Sequence, residues 1–227
     1  MTPRKRPDSG RKRAPASGLA AGAGDPHGTI RKTAPVETTE VASFDSLGLA
    51  PGVLDAVRHA GYTTPTPIQR QAIPLALKGR DLIGLAQTGT GKTAAFTLPI
   101  VQRLHDGPQR LRALVLTPTR ELCMQVEESV RKYARGSACG VAAIFGGVSY
   151  EPQEHALRTG VEVIVATPGR LLDHLERGNV VFDDLEILVL DEADRMLDMG
   201  FAPQINRIVE RIHPYRQTML FSATMPP

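Results

Sequence analysis

The 227-residue sequence contains no tryptophan, and aromatic residues make up only 4% of it. Stacking platforms for nucleobases are therefore scarce, so nucleic-acid contacts are expected to run through phosphates and sugars. Cysteine is equally sparse: Cys123 and Cys139 stand alone, in no CxxC pair and beside no pair of histidines. That excludes a disulfide framework and zinc-ligand spacing, and predicts buried thiols in a reducing compartment, which places the chain in the cytoplasm. No apolar run approaches the roughly 18 residues of a membrane span. The short Leu19–Ala23 stretch is too weak for the apolar region of a secretory signal. Hydrophobic residues nevertheless reach 41%, enough for a sizeable core in one domain of about 150–200 residues plus a tail.

Charge is unevenly spread. Residues 1–40 hold Arg4, Lys5, Arg6, Arg11, Lys12, Arg13, Arg31 and Lys32 against Asp8, Asp25, Glu37 and Glu40, a balance of +4, so the formal +3 of the whole chain leaves the remainder at −1. This basic stretch is rich in Pro, Gly, Ala, Ser and Thr and poor in large apolar side chains. It cannot bury enough surface to offset its ordering entropy and is predicted to be a disordered tail. Its two basic triplets could hold nucleic-acid phosphates. The remainder is near neutral, so an anion site there must be a local patch.

From Phe44 onward, short apolar runs rich in β-branched residues alternate with amphipathic stretches. The runs are Asp81–Ala86, Ala113–Thr117, Val141–Phe145, Val161–Thr167, Leu185–Asp191 and Thr218–Ser222. Continuous apolar character predicts strands buried on both faces of a parallel sheet. Helices are predicted between them, among them Lys92–Leu104, Glu121–Tyr133 and Phe201–Ile212. Strand and helix in alternation give an α/β fold, a mostly parallel sheet flanked by helices. Functional loops in such sheets gather at the carboxyl ends of the strands, and nearly every motif below follows one of the runs.

After the first run come Ala86, Gln87, Thr88, Gly89, Thr90, Gly91, Lys92 and Thr93, opening a predicted helix. A tight glycine turn exposes backbone N–H groups, and the helix N-terminus adds positive potential, a cradle for phosphates. Lys92 would reach the β- and γ-phosphates of a nucleotide and the Thr93 hydroxyl would hold Mg²⁺. Hydrolysis also needs carboxylates at a neighbouring strand end. Leu188–Leu190 leads into Asp191, Glu192, Ala193 and Asp194. Asp191 is positioned to bind the metal, directly or through water, and Glu192 to polarise the attacking water.

With these residues in place, Phe44 to Pro226 resembles the DEAD-box helicase family, in which an alanine such as Ala86 commonly opens the phosphate loop. Gly61 to Gln69 is similar to the family's Q motif, with Phe44 at the expected distance upstream. The resemblance implies ATP rather than GTP: the Gln69 amide would accept from the adenine amino group and donate to N7, and Phe44 would stack on the base. Pro118-Thr119-Arg120, Gly146-Gly147 and Thr167-Pro168-Gly169-Arg170 resemble the family's RNA-contacting motifs. Small residues, hydroxyls and guanidinium groups suit backbone contacts that position a strand without reading its bases. Ser222-Ala223-Thr224 resembles the coupling motif, whose hydroxyls would bond toward Asp194.

The resemblance implies a RecA-like P-loop domain over residues 71–227, a Q-motif segment over 41–70 and the tail over 1–40. It also implies a second RecA-like domain, in cis or in trans, carrying arginine fingers. Such a finger contributes about 10³–10⁵ in rate, so a chain without it is expected to bind ATP, Mg²⁺ and RNA as a monomer but to hydrolyse ATP negligibly. Two other readings compete: a one-domain RNA- or partner-binding module, and a P-loop ATPase acting on something other than RNA. The Q-motif segment and the three RNA-type motifs speak against the last.

Overall fold

The structure, a computed structural model, describes residues 43–224. The tail expected over residues 1–40 lies outside them. In chain order, a 3₁₀ turn (Phe44–Leu47) is followed by α1 (Pro51–His59), α2 (Pro67–Leu77), β1 (Leu82–Leu85), α3 (Lys92–Leu104) and β2 (Ala113–Leu116). Then come α4 (Arg120–Tyr133), β3 (Val141–Ile144), α5 (Glu151–Thr159), β4 (Val163–Ala166) and α6 (Pro168–Glu176). β5 (Ile187–Leu190), α7 (Ala193–Asp198), α8 (Ala202–Val209) and β6 (Gln217–Ser222) complete the order.

The six strands form one sheet in the order β1-β6-β5-β2-β4-β3, and every pairing is parallel. All six fall on the apolar runs read from the sequence. Alternation across each strand explains why those runs are continuous. Val115, Val165, Val189 and Phe221 enter one core with α3 and α4, whereas Leu114, Ile164 and Leu188 enter the other with α6 and α8. Both faces of the central strands are thus covered by helices, as parallel sheets require.

β1 departs from that expectation. It is an edge strand, and Ile83 and Leu85 are 45% and 52% exposed. Only its other face is packed, through Gly84, where a Cβ would lie 2.6 Å from the Phe221 ring. That close approach lets Phe221 stack against Phe96, ring centroids 5.2 Å apart, and ties β1 to the helix that follows the phosphate loop.

The two cysteines are free, with Cys123 fully buried and its Sγ donating to the Val165 carbonyl at 3.1 Å. Burial pushes its thiol up to about 12, so it packs as a small apolar side chain. Among the described residues, no helix is long and apolar enough to cross a membrane.

Candidate functional site

The motifs collect at the carboxyl ends of the strands. β1 hands the chain to the glycine loop as Ala86 N–H donates to the Ser222 carbonyl of β6 at 3.0 Å. Gln87 closes the turn by accepting from Thr90 N–H and, at 2.6 Å, from the Thr90 hydroxyl. Gly89 and Gly91 adopt φ of 81° and 92°, a left-handed backbone that strains any side chain. Among the described residues, the amides of Thr88, Gly89 and Gly91 donate to no protein acceptor. The first amides of α3 lack intrahelical partners by construction. The result is a row of free N–H donors at a helix N-terminus.

Gln69 reaches this loop from α2. Its Nε2 donates to the Gly91 carbonyl at 3.1 Å, and its Oε1 accepts from Thr66 N–H at 2.9 Å. These two bonds hold the carboxamide, 4% exposed, against the phosphate loop and use half of its hydrogen-bonding capacity. Phe44 sits elsewhere. The residue is 4% exposed and packs in the core with Leu47, Val53 and Val57. Burying an apolar ring against α1 is worth more than leaving it in solvent. Tyr62 is the exposed aromatic of this segment, and it shares with Phe44 the lining of a cavity of about 280 Å³.

Lys92, the first residue of α3, is buried and its Nζ has no hydrogen-bond partner. Asp191, just past β5, is 2% exposed. Burial pushes its carboxyl up to about 6, against the opposing pull of the Lys92 ammonium; the Glu192 and Asp194 charges raise it further. A buried ammonium without an acceptor, coupled to a buried carboxyl, suits the binding of an anion together with a cation. Glu192 is the sole non-glycine residue with positive φ among the described residues (52°), a strained backbone of the kind that collects at functional sites. Its side chain pairs with Arg195 at 3.3 Å, and its N–H donates to Asp191 Oδ1 at 3.0 Å.

Asp194 joins this end of the sheet to β6. Its Oδ2 accepts from Ala223 N–H at 3.1 Å and from the Thr224 N–H and hydroxyl, each at 2.9 Å. Partial burial raises its carboxyl, but the Thr224 hydroxyl and amide outweigh that and hold it at about 2. The Ser222 hydroxyl donates to the Thr224 carbonyl at 2.6 Å. Thr224 thus supplies a hydroxyl bonded to Asp194, and the neighbouring Ser222 hydroxyl also helps to lower the Asp194 carboxyl.

The three RNA-type segments follow β2, β3 and β4. Thr119 caps α4, accepting from Leu122 N–H at 3.3 Å, behind the buried Pro118. Arg120 is exposed, its guanidinium 5.0 Å from the centre of the Phe145 ring. Gly146 and Gly147 are exposed, as are Val148 and Ser149 after them. Thr167 and Gly169 are half-buried around the start of α6. Arg170 differs from the expectation of a free phosphate ligand. Its side chain is 9% exposed, and both terminal nitrogens donate to the Val148 carbonyl at 3.1 and 3.0 Å. Missed in the sequence were Tyr150, whose partners lie on α6, and Arg195, which pairs with Glu192 three residues before it.

A parallel α/β sheet with a glycine loop capping one helix and a buried carboxyl at a nearby strand end defines a RecA-like P-loop domain. Residues 66–227 match the DEAD/DEAH box helicase family, and the chain belongs to that family. It is 48% identical over 191 residues to DEAD-box ATP-dependent RNA helicase 20 of Arabidopsis thaliana, covering 82% of this chain and 38% of that protein. To the ATP-dependent RNA helicase CshA of Streptococcus pneumoniae it is 48% identical over 183 residues, 81% of this chain and 35% of that one. The crystal structure of a DEAD box protein from Methanococcus jannaschii superposes with a TM-score of 0.78 at 38% identity, covering 81% of this chain and 50% of that one. The chain therefore spans well under half the length of the curated relatives it matches.

Proposed function

We propose that this chain is the ATP-binding RecA-like unit of an ATP-dependent RNA helicase, and that it binds Mg·ATP and the sugar–phosphate backbone of RNA. The observation that carries the reading is the unpartnered Lys92 ammonium beside the buried Asp191, under a loop of free amides. Mg²⁺ would neutralise phosphate charge when bound, and Thr93 and Asp191 are the residues that would hold it. Among the described residues no cluster of three or more His, Cys, Asp or Glu exists. Mg²⁺ bound together with a nucleotide needs only one or two carboxylates. The amides of Thr88, Gly89 and Gly91 would wrap the phosphates while Lys92 approaches them as a point charge. Gln69 would offer the rest of its hydrogen-bonding capacity to adenine. Glu192 orients water once the Arg195 pair opens. Asp194 and Thr224 connect the nucleotide end of the sheet to the exit of β6.

RNA would lie across the loops of Pro118–Arg120, Gly146–Gly147 and Thr167–Gly169, held by backbone and hydroxyl groups without base readout. Unwinding would await a second RecA-like domain, in cis or in trans, that completes both sites. Support comes from the relatives, whose names state ATP-dependent RNA helicases and whose length exceeds the matched stretch. We place residues 41–70 as the Q-motif segment, 71–227 as the RecA-like domain, and the chain in the cytoplasm as a monomer.

The test is calorimetric titration of the 227-residue chain with Mg·ATP and Mg·GTP, beside RNA-stimulated phosphate release. Binding should favour ATP, vanish in Lys92→Ala, and lose its preference over GTP in Gln69→Ala. Hydrolysis by this chain alone should be negligible. No binding by wild type, or binding indifferent to Lys92→Ala, would overturn the assignment.

A further inference from the structure

Tyr150 lies between two guanidinium groups. The Arg170 carbon Cζ is 3.9 Å from its ring centre and the Arg177 Cζ is 3.8 Å. Two planar groups cannot occupy one face of a ring at that distance, so they flank it on opposite faces. The phenol hydroxyl donates to Asp173 Oδ2 at 2.8 Å, and His174 meets the ring edge at 5.3 Å. Residues 170, 173, 174 and 177 fall at i, i+3, i+4 and i+7, one face of α6 carried into its C-cap. One helical stripe therefore holds a single tyrosine on both faces, at its edge and at its tip.

Tyr150 is the residue that ends the exposed Gly146–Ser149 loop, immediately before α5. The Arg170 that stacks on it also donates twice to the Val148 carbonyl inside that loop. At the other end, the Gln153 amide brackets Phe145, its Oε1 accepting from Phe145 N–H and its Nε2 donating to Phe145 O, each at 3.2 Å. The loop is pinned where it begins by α5 and where it ends by α6. Gly146, Gly147 and Val148 have only backbone to offer a ligand, so their angle depends on these supports.

Resting on the RNA-backbone reading above, we propose that Tyr150 is a positioning residue. Clamped between Arg170 and Arg177, it locks the Gly146–Ser149 loop to the start of α6, so that two RNA-contacting segments move as one body. Arg170 acts through this clamp and not as a phosphate ligand.

Two measurements on the full chain decide the matter, each at a temperature where circular dichroism shows every variant folded. Without RNA, amide hydrogen exchange should quicken together in Tyr150→Ala at Glu151 and Glu154, whose amides donate to Ser149 and Tyr150, and at Leu171, whose amide donates to Thr167, with Thr90 in the phosphate loop unchanged. Tyr150→Phe, which keeps the ring between the guanidinium groups, should retain most of the protection. With a single-stranded RNA oligonucleotide, Tyr150→Ala should bind about five- to thirtyfold more weakly, the size of the two cation–π pairs it removes. The dependence of its affinity on salt should match wild type. Arg170→Met should show the same pattern, whereas removing a phosphate ligand lowers the salt slope by about 0.7. Exchange that rises in one segment only, or a reduced slope in Arg170→Met, overturns the proposal. A wild-type chain that does not bind RNA defeats the RNA reading instead, and the exchange data still decide whether the two segments are coupled.

Discussion

Replacing Thr224 with valine removes one hydrogen bond from Asp194 and leaves the other two acceptor contacts, from the Ala223 and Thr224 amides, in place. A hydrogen bond to a charged acceptor contributes about 1.5–3 kcal/mol when well buried. Asp194 is only partly buried, so solvent screening lowers this to about 1 kcal/mol. Asp194→Ala loses all three bonds together with a negative charge in the first turn of α7, about 2 kcal/mol in sum. The double variant should cost no more than Asp194→Ala, giving a coupling energy of about 1 kcal/mol. Urea unfolding of the four proteins, compared at constant m, measures it. The pH dependence adds a second check. The Asp194 carboxyl is held at about 2, below its ordinary 3.8, by the Thr224 hydroxyl and amide, which outweigh the raising effect of burial. A depressed acid stabilises the fold above its unfolded pKa and loses that contribution as pH falls through its folded one. The coupling should thus be constant down to about pH 4 and fade toward pH 2. A coupling below about 0.3 kcal/mol, the scatter of independent sites, would refute the reasoning.

Lys92→Met should abolish nucleotide binding while leaving the urea midpoint at pH 6 unchanged or raised, because it removes a buried ammonium that lacks an acceptor. Unfolding at clearly lower urea would show that Lys92 supports the apo fold. Mg·ATP affinity should fall with acid: the Asp191 carboxyl sits at about 6, raised chiefly by burial, and a metal requires it ionised. Its ionised fraction at pH 5 is about one-eleventh, so calorimetry should show roughly tenfold weaker binding there than at pH 8. Affinity independent of pH over that range would remove Asp191 from the metal site. Glu192→Gly should stabilise the chain by up to about 1 kcal/mol in urea, since left-handed backbone costs a side-chain-bearing residue that much or more. Loss of the exposed Arg195 pair offsets only part of this gain. Destabilisation would mean the strain is absent.

The sheet was legible because parallel strands buried on two faces are marked by unbroken apolar runs, and all six runs became strands. The glycine loop and the Asp191 pair were legible because phosphate and metal chemistry demands particular residue types at short spacing. Lys92–Leu104 was read as a helix with the bounds that α3 adopts, its start marked by that loop. Composition could not show that Phe44 would be withdrawn into the core and Gln69 delivered to Gly91, since both outcomes follow from how α1 and α2 pack. Nor could it show that Arg170 would spend its guanidinium on Val148 and Tyr150. An arginine at a helix start reads the same whether it faces solvent or a neighbouring loop. Ser222 and Thr224 looked equivalent, whereas the turn after β6 bonds the Thr224 hydroxyl to Asp194 and the Ser222 hydroxyl to the Thr224 carbonyl.

The amino-acid sequence by itself thus determined the sheet, the phosphate loop and the acidic strand end, because local pattern and short spacing carry those features. Tertiary structure alone decided which side chains face the site and which are tied up in holding it. Those choices depend on contacts such as Gln69 with Gly91 and Arg170 with Val148, whose partners lie 22 residues apart. No window of sequence short enough to read as one element contains both ends of such a contact.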